Sequence, residues 1–200
     1  MIPPDKVGNV ASLDQPWSKI EFVFFQTVRD YTPAGEQKKQ IPGFIIRIPA
    51  TEPNTGAQAH MNPLLLGEDP DKKLKSVFNG GQAAWRVKDI PAAREPTSED
   101  YLLAVSRICV HLGCIFNFET DQNKVEQGYG GFRPPNPVFA CPCHFSIYSP
   151  MKDAMADAGL PFPGPQVISG PAPRPPRWIA FKVEPNGDIF ITAMEEGGVA

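Results

Sequence analysis

Two short stretches hold most of the ligand-forming chemistry of this chain: CVHLGC, residues 109–114, and CPCHFSIY, residues 141–148. Between them they contain all four cysteines and two of the three histidines. In an extended segment residues i and i+2 project to the same side, so Cys109 and His111 can aim at one point. In the second stretch Cys141 and His144 bracket a tight Pro142–Cys143 turn. Each stretch thus offers one thiolate and one imidazole and leaves one further cysteine over, Cys114 or Cys143. Three readings meet this pattern: a [2Fe–2S] cluster with two histidine ligands, a structural zinc site, and two disulfides with incidental histidines. Zinc sites favour C-x₂₋₄-C with H-x₃₋₅-H, an ordering not present here, and zinc leaves the second cysteine pair unexplained. Disulfides alone leave unexplained why both histidines sit beside cysteines. The C-P-C triplet lacks the two intervening residues of a thioredoxin-like redox motif.

C-x-H-x-G-C followed by C-P-C-H-x-S-x-Y resembles the Rieske iron–sulfur proteins, specifically the cytochrome bc type that carries an extra cysteine pair. The resemblance spans residues 109–176, since GPAPRPP at 170–176 is similar to the family's proline loop, which covers a third side of the cluster. It implies a [2Fe–2S] cluster with Cys109 and Cys141 on one iron and His111 and His144 on the other. It implies a Cys114–Cys143 disulfide clasping the two loops. Ser146 and Tyr148 resemble the family's hydroxyl donors to a bridging sulfide and a cysteine sulfur; without that role, Ser146 is a loop cap and Tyr148 a core residue. Leu112, beside His111, is a candidate apolar contact for a quinone ring or else a core residue. Two departures stand out. Phe145 occupies a place where the family usually has glycine, so the turn there must accept a side chain. The 26 residues between Cys114 and Cys141 form a longer insertion than in many relatives. An aromatic residue at 145 is also similar to the small Rieske subunit of arsenite oxidases, while the insertion and proline loop together resemble the archaeal Rieske proteins of terminal quinol oxidase complexes.

Charge counting says what such a centre would do. Two ferric ions, two sulfides and four thiolates sum to −2, and replacing two thiolates by neutral imidazoles brings the sum to zero, which raises the reduction potential by several hundred millivolts. Hydroxyl donors stabilise the reduced, more negative state and raise it further. Imidazoles that bind iron through one nitrogen keep the other for a proton, so electron and proton uptake couple. The resemblance therefore implies an electron-transfer subunit that takes an electron and a proton from quinol and passes the electron to a haem protein, beside a cytochrome b-type subunit. Such a subunit is not catalytic alone. The alternatives are a small Rieske subunit of an arsenite-oxidase-type molybdoenzyme and a structural zinc domain; a Rieske ferredoxin feeding an oxygenase would lack the second cysteine pair. A disulfide implies an extracytoplasmic setting, the outer face of the plasma membrane. Relatives of this kind carry an N-terminal membrane anchor, so the sequence is expected to be a soluble, monomeric fragment.

The elements that must position these loops read as β-strands. The chain has 200 residues, 42% hydrophobic, enough for one sizeable core. Its 24 prolines and 17 glycines argue against a helical bundle and for strands joined by ordered loops. A formal net charge of −3 offers nothing to a polyanion, which excludes nucleic acid as a partner. The longest apolar run, IEFVFFQTV at 20–28, is half a membrane span and contains Glu21 and Gln26. Residues 19–28, 43–48 and 101–108 read as strands, and RWIAFKVEPNGDIFIT at 177–192 as a hairpin about Pro185–Gly187, with Ile179, Phe181 and Val183 on one face. Residues 1–16 read as an extended lead-in, PLLLGEDPDKK and SVFNGGQAAWRV as further strands, and 151–159 as a short helix stopping near Gly159. The segment 161–176, with seven prolines, can be neither a helix nor a central strand; the hairpin anchored behind it favours a packed loop over a solvated linker. His60 has no ligand-forming neighbours, and Trp17, Trp85 and Trp178 read as packing residues. The fold expected is all-β: an antiparallel sheet or sandwich base of residues 1–105 and 177–200, with a smaller cluster-binding subdomain at 106–176 that includes the proline loop 161–176.

Overall fold

A computed structural model describes residues 6–29, 36–53, 55–59, 61–68, 80–153 and 164–195. Eleven strands are assigned in it: β1 Lys6–Asn9, β2 Lys19–Arg29, β3 Glu36–Ile48, β4 Ala84–Arg86, β5 Tyr101–Ser106, β6 Asn117–Glu119, β7 Val138–Ala140, β8 Ile147–Asp153, β9 Pro165–Ser169, β10 Ile179–Val183 and β11 Asp188–Met194. They form three antiparallel sheets, ordered β2-β3-β5-β4, β1-β11-β10 and β6-β7-β8-β9. The α-helix among the described residues, α1 Gln122–Gly128, lies between β6 and β7 and is capped by the Asp121 carboxylate, which accepts from the Asn123 and Lys124 amides.

The first sheet is the middle layer. Side chains alternate along a strand, so β3 sends Phe44, Ile46 and Ile48 to one face and Ile41 and Ile45 to the other, all buried. On β5, Leu103 and Val105 join the former group while Leu102 and Ala104 join the latter. One core packs Ile45 and Leu102 against Ile179, Phe181, Ile189 and Ile191 of the β1-β11-β10 sheet. The other packs Phe44 and Val105 against Phe116, Phe139, Cys109, Cys141 and Tyr148. Burial on both faces explains why GFIIRI and YLLAVS read as near-continuous apolar runs. It also seats the cysteine-bearing region directly on the centre of the molecule.

Several expectations meet a different local structure. The lead-in forms β1, which pairs with β11; its partner lies at the far end of the chain, so no local pattern marks it. At Pro63–Gly67, within PLLLGEDPDKK, the chain turns instead of extending, because the Asn62 carbonyl and side-chain oxygen accept the Leu65 and Leu64 amides at 3.0 and 2.8 Å. Residues 69–79, His60 and most of the expected helix, 154–159, lie outside the described residues. The first three residues of that helix, Met151–Asp153, are strand: Met151 is fully buried in the second core and the backbone pairs with β9. Tertiary burial of Met151 decides these three residues, whatever the local helix propensity. The proline-rich segment contributes β9, which lies at the edge of its sheet, where proline is tolerated. Beyond β9, Ala172 is buried with the two free cysteines, Pro175 and Pro176 are buried, and Arg174 pairs with Glu195.

Candidate metal centre

The two boxes fold into matching loops. In the first, Ile108 and Ile115 form a β-bridge, the Cys109 amide donates to the Cys114 carbonyl at 2.8 Å, and the Gly113 amide donates back to the Cys109 carbonyl at 2.9 Å. In the second, held between β7 and β8, the Cys141 amide donates to the Ser146 carbonyl at 2.9 Å and the Phe145 amide to the Cys141 carbonyl at 3.1 Å. The first loop is tied down by Arg107. Its guanidinium donates to the Phe116 carbonyl at 3.2 Å, lies over the Phe44 ring at 4.4 Å from the centroid, and pairs with Glu21.

These loops face each other. Cys114 and Cys143 are bridged by a disulfide, with Cα atoms 6.5 Å apart. The His111 and His144 rings lie 4.8 Å apart and perpendicular. Cys109 and Cys141 are free thiols at 1% exposure each. The Cys114, Cys141 and Cys143 sulfurs all lie within 4.8 Å of one another; two of them share the disulfide, so this trio is not itself a ligand set. His144 is exposed and His111 half-buried. Leu112 is 63% exposed, with Ile115 and Phe145 the other exposed apolar side chains of the loops.

Five buried groups of the loops have no ordinary structural explanation. Both thiols sit in an apolar core, and burial pushes the Cys141 thiol up, away from the thiolate. A thiolate there requires a cation beside it. The His111 Nδ1 atom is buried with no partner among the described residues. The Ser146 hydroxyl is fully buried and also has no partner in bonding geometry, although it lies near enough to ease ionisation of Tyr148. Tyr148 is fully buried, its hydroxyl 3.2 Å from the Cys109 sulfur, and burial followed by the Cys109 thiol pushes its ionisation far up. It is held neutral, within hydrogen-bond reach of that sulfur. Orphaned buried polar atoms are rare in folded proteins, and a metal–sulfur group between the loops would satisfy this set together. The residues present fit a [2Fe–2S] cluster: two thiols, two imidazoles, the Tyr148 hydroxyl beside a cysteine sulfur and the unpartnered Ser146 hydroxyl. A lone zinc ion would leave the Ser146 hydroxyl without an acceptor.

Sequence reasoning passed over four residues here. Arg107, Gly170, Phe139 and Tyr129 carry no ligand chemistry, so residue type alone does not single them out. Gly170, at φ +87°, packs so closely on the second loop that a Cβ there would lie 2.5 Å from the Phe145 carbonyl oxygen. Its place at the head of GPAPRPP was the available signal.

No protein-family profile matches the chain. It is 32% identical over 80 residues to the menaquinol:cytochrome c reductase iron–sulfur subunit of Geobacillus thermodenitrificans, a match covering 40% of this chain and 35% of that protein. It is 38% identical over 63 residues to the subunit of the same name from Bacillus subtilis, covering 31% and 29%. Against the chloroplastic cytochrome b6-f complex iron–sulfur subunit of Bigelowiella natans it is 30% identical over 92 residues, covering 46% and 25%. The matches thus span about a third or less of these curated relatives. The soluble domain of the Rieske protein II (soxF) from Sulfolobus acidocaldarius aligns over 99% of this chain and 83% of its own length, at 21% identity and a TM-score of 0.40. Among the described residues no helix is long and apolar enough to cross a membrane. Box chemistry, loop geometry and sequence similarity together liken this part of the chain to the iron–sulfur subunits of the menaquinol:cytochrome c reductase and cytochrome b6-f complexes.

Proposed function

We propose that this chain is the high-potential electron-transfer subunit of a quinol-oxidising respiratory complex, taking an electron and a proton from quinol and passing the electron to a haem protein. The observation that carries this reading is that His111 Nδ1 and the Ser146 hydroxyl, buried without partners among the described residues, belong to the same two facing loops as two free buried thiols. Cys109 and Cys141 would hold one iron and His111 and His144 the other. When bound, the cluster supplies a one-electron acceptor whose potential is raised by the neutral imidazoles.

The chain's own residues do the rest. Burial of Nδ1 leaves the outer edge of His111, with exposed His144, to receive a proton from a quinol hydroxyl at Nε2. Leu112, exposed beside His111, offers apolar surface to the quinol ring. Tyr148 holds its proton against the Cys109 sulfur, and the Ser146 hydroxyl would point at a sulfide. The Cys114–Cys143 bridge and the proline-rich stretch 164–176, with Ala172 buried beside the two thiols, would keep water from the thiolate side. Residues 106–176 form the cluster-binding unit, which holds the whole β6-β7-β8-β9 sheet, and the other two sheets form its base. A cytochrome b-type subunit would complete the quinol pocket, with the unit on the extracytoplasmic face, the setting in which such a disulfide persists. The relatives named as menaquinol:cytochrome c reductase subunits favour this reading over a molybdoenzyme partner.

Protein-film voltammetry tests it. The midpoint potential is expected to be flat in acid and to fall by about 59 mV per pH unit for each proton coupled, once the medium is alkaline. A potential independent of pH from neutral to strongly alkaline solution would contradict proton uptake at the imidazole edges.

A further inference from the structure

The matched hydrogen bonds of the two loops place one residue in the same unusual backbone position in each. The residue whose amide returns to the first cysteine has a left-handed conformation in both, φ 78° at Gly113 and 60° at Phe145. Glycine adopts this region freely, whereas a side chain meets steric resistance there. Among the described residues only Trp17 and Phe145 occupy it without being glycine. At Gly113 a Cβ would meet nothing within 4 Å, so the first loop presents no seat for a side chain. The second loop has one.

The Phe145 ring meets Tyr129 nearly at right angles, centroids 6.5 Å apart, and a Cβ added at Gly130 would lie 3.8 Å from that ring. Tyr129 is itself fixed. Its ring packs with Val125, Val138 and Ile147, and its hydroxyl donates to Glu119 at 3.3 Å. The Glu119 carboxylate also accepts the Lys124 ammonium at 2.6 and 2.8 Å. On the opposite side Gly170 backs directly onto the Phe145 carbonyl. The long segment between the boxes thus ends, through α1, in a surface that receives this ring.

We propose that Phe145 is a latch, a positioning residue that fastens the second loop, and His144 with it, to the Tyr129–Gly130 turn. The fastening belongs to the polypeptide alone; only the spectroscopic arm of its test rests on the proposed cluster.

The test compares Phe145→Gly, Phe145→Tyr, Tyr129→Ala and the Phe145→Gly/Tyr129→Ala double variant, with amide hydrogen exchange at Cys141 and Cys109. Phe145→Gly and Tyr129→Ala are expected to speed exchange at Cys141 roughly three- to tenfold, the range of one aromatic contact, and to leave Cys109 unchanged. The double variant is expected to be no faster than the quicker single variant, and Phe145→Tyr to keep the original protection. In iron-loaded protein the reduced-state electron paramagnetic resonance lines should broaden in Phe145→Gly and Tyr129→Ala but not in Phe145→Tyr. Unchanged exchange at Cys141, additive effects in the double variant, or equal acceleration at Cys109 would each overturn the latch. If the unsubstituted protein binds no iron, the proposed function fails while the exchange result still decides the latch.

Discussion

Ser146 and Tyr148 differ in what holds them. The Tyr148 hydroxyl already faces the Cys109 sulfur, whereas the Ser146 hydroxyl has no partner in bonding geometry among the described residues. Both would stabilise the reduced cluster more than the oxidised one. Ser146→Ala and Tyr148→Phe are therefore each expected to lower the midpoint potential by on the order of 50 mV, the one-electron equivalent of about 1 kcal/mol, with the cluster retained. Potentials within a few millivolts of the parent in both variants would remove their tuning role. At this scale the sequence is most informative, because ligand identity resides in residue type: Cys–x–His and Cys–x–x–His already carry the donors. Leu112 was open between core and surface on sequence alone, and its 63% exposure decides for surface. The seat of the Phe145 ring was not legible, since it depends on Tyr129, sixteen positions earlier and across strand β7.

At the scale of elements, the loops depend on what clasps and carries them. The Cys114–Cys143 bridge joins cysteines 29 positions apart and contributes no ligand in the proposed site. Cys114→Ser is expected to permit cluster assembly but to shorten its half-life in the presence of a chelator severalfold, followed by loss of visible absorbance. A half-life equal to the parent's would remove the clasp. The base has a different weak point. Asp188 accepts from Lys6 and Asn9, and these contacts, Lys6 first, hold its carboxyl below the usual range. A lowered folded value means the contribution is present above the unfolded carboxylate value, about 3.9, and is lost as pH falls through the folded one. Asp188→Asn should lower the melting temperature near neutral pH and converge with the parent in strong acid; a gap that stays constant with pH would contradict the link. The hairpin of β10 and β11 was legible from Pro185–Asn186–Gly187 and its flanking alternation. β1 was not, because its pairing to β11 spans nearly the whole chain. The strand at Met151–Asp153 was misjudged for a related reason: alanine content reports local propensity, while the burial of Met151 is a tertiary fact.

The whole molecule is three sheets with the middle one buried on both faces, so the candidate site shares a core with the centre of the fold. Phe44 and Phe139, stacked 6.1 Å apart, connect the middle sheet to the sheet that carries the second loop. That arrangement gives the loops a rigid floor and leaves only their tips, Leu112 and His144 among them, to a partner. The central claim is that the two loops grip a cluster of two irons and two sulfides between buried thiols and outward imidazoles. The most direct measurement is iron and acid-labile sulfide content together with electron paramagnetic resonance of the dithionite-reduced protein. The account predicts two irons and two sulfides per chain and a rhombic spectrum with an average g value below that of a free electron. A colourless protein holding one zinc ion and no labile sulfide would contradict it.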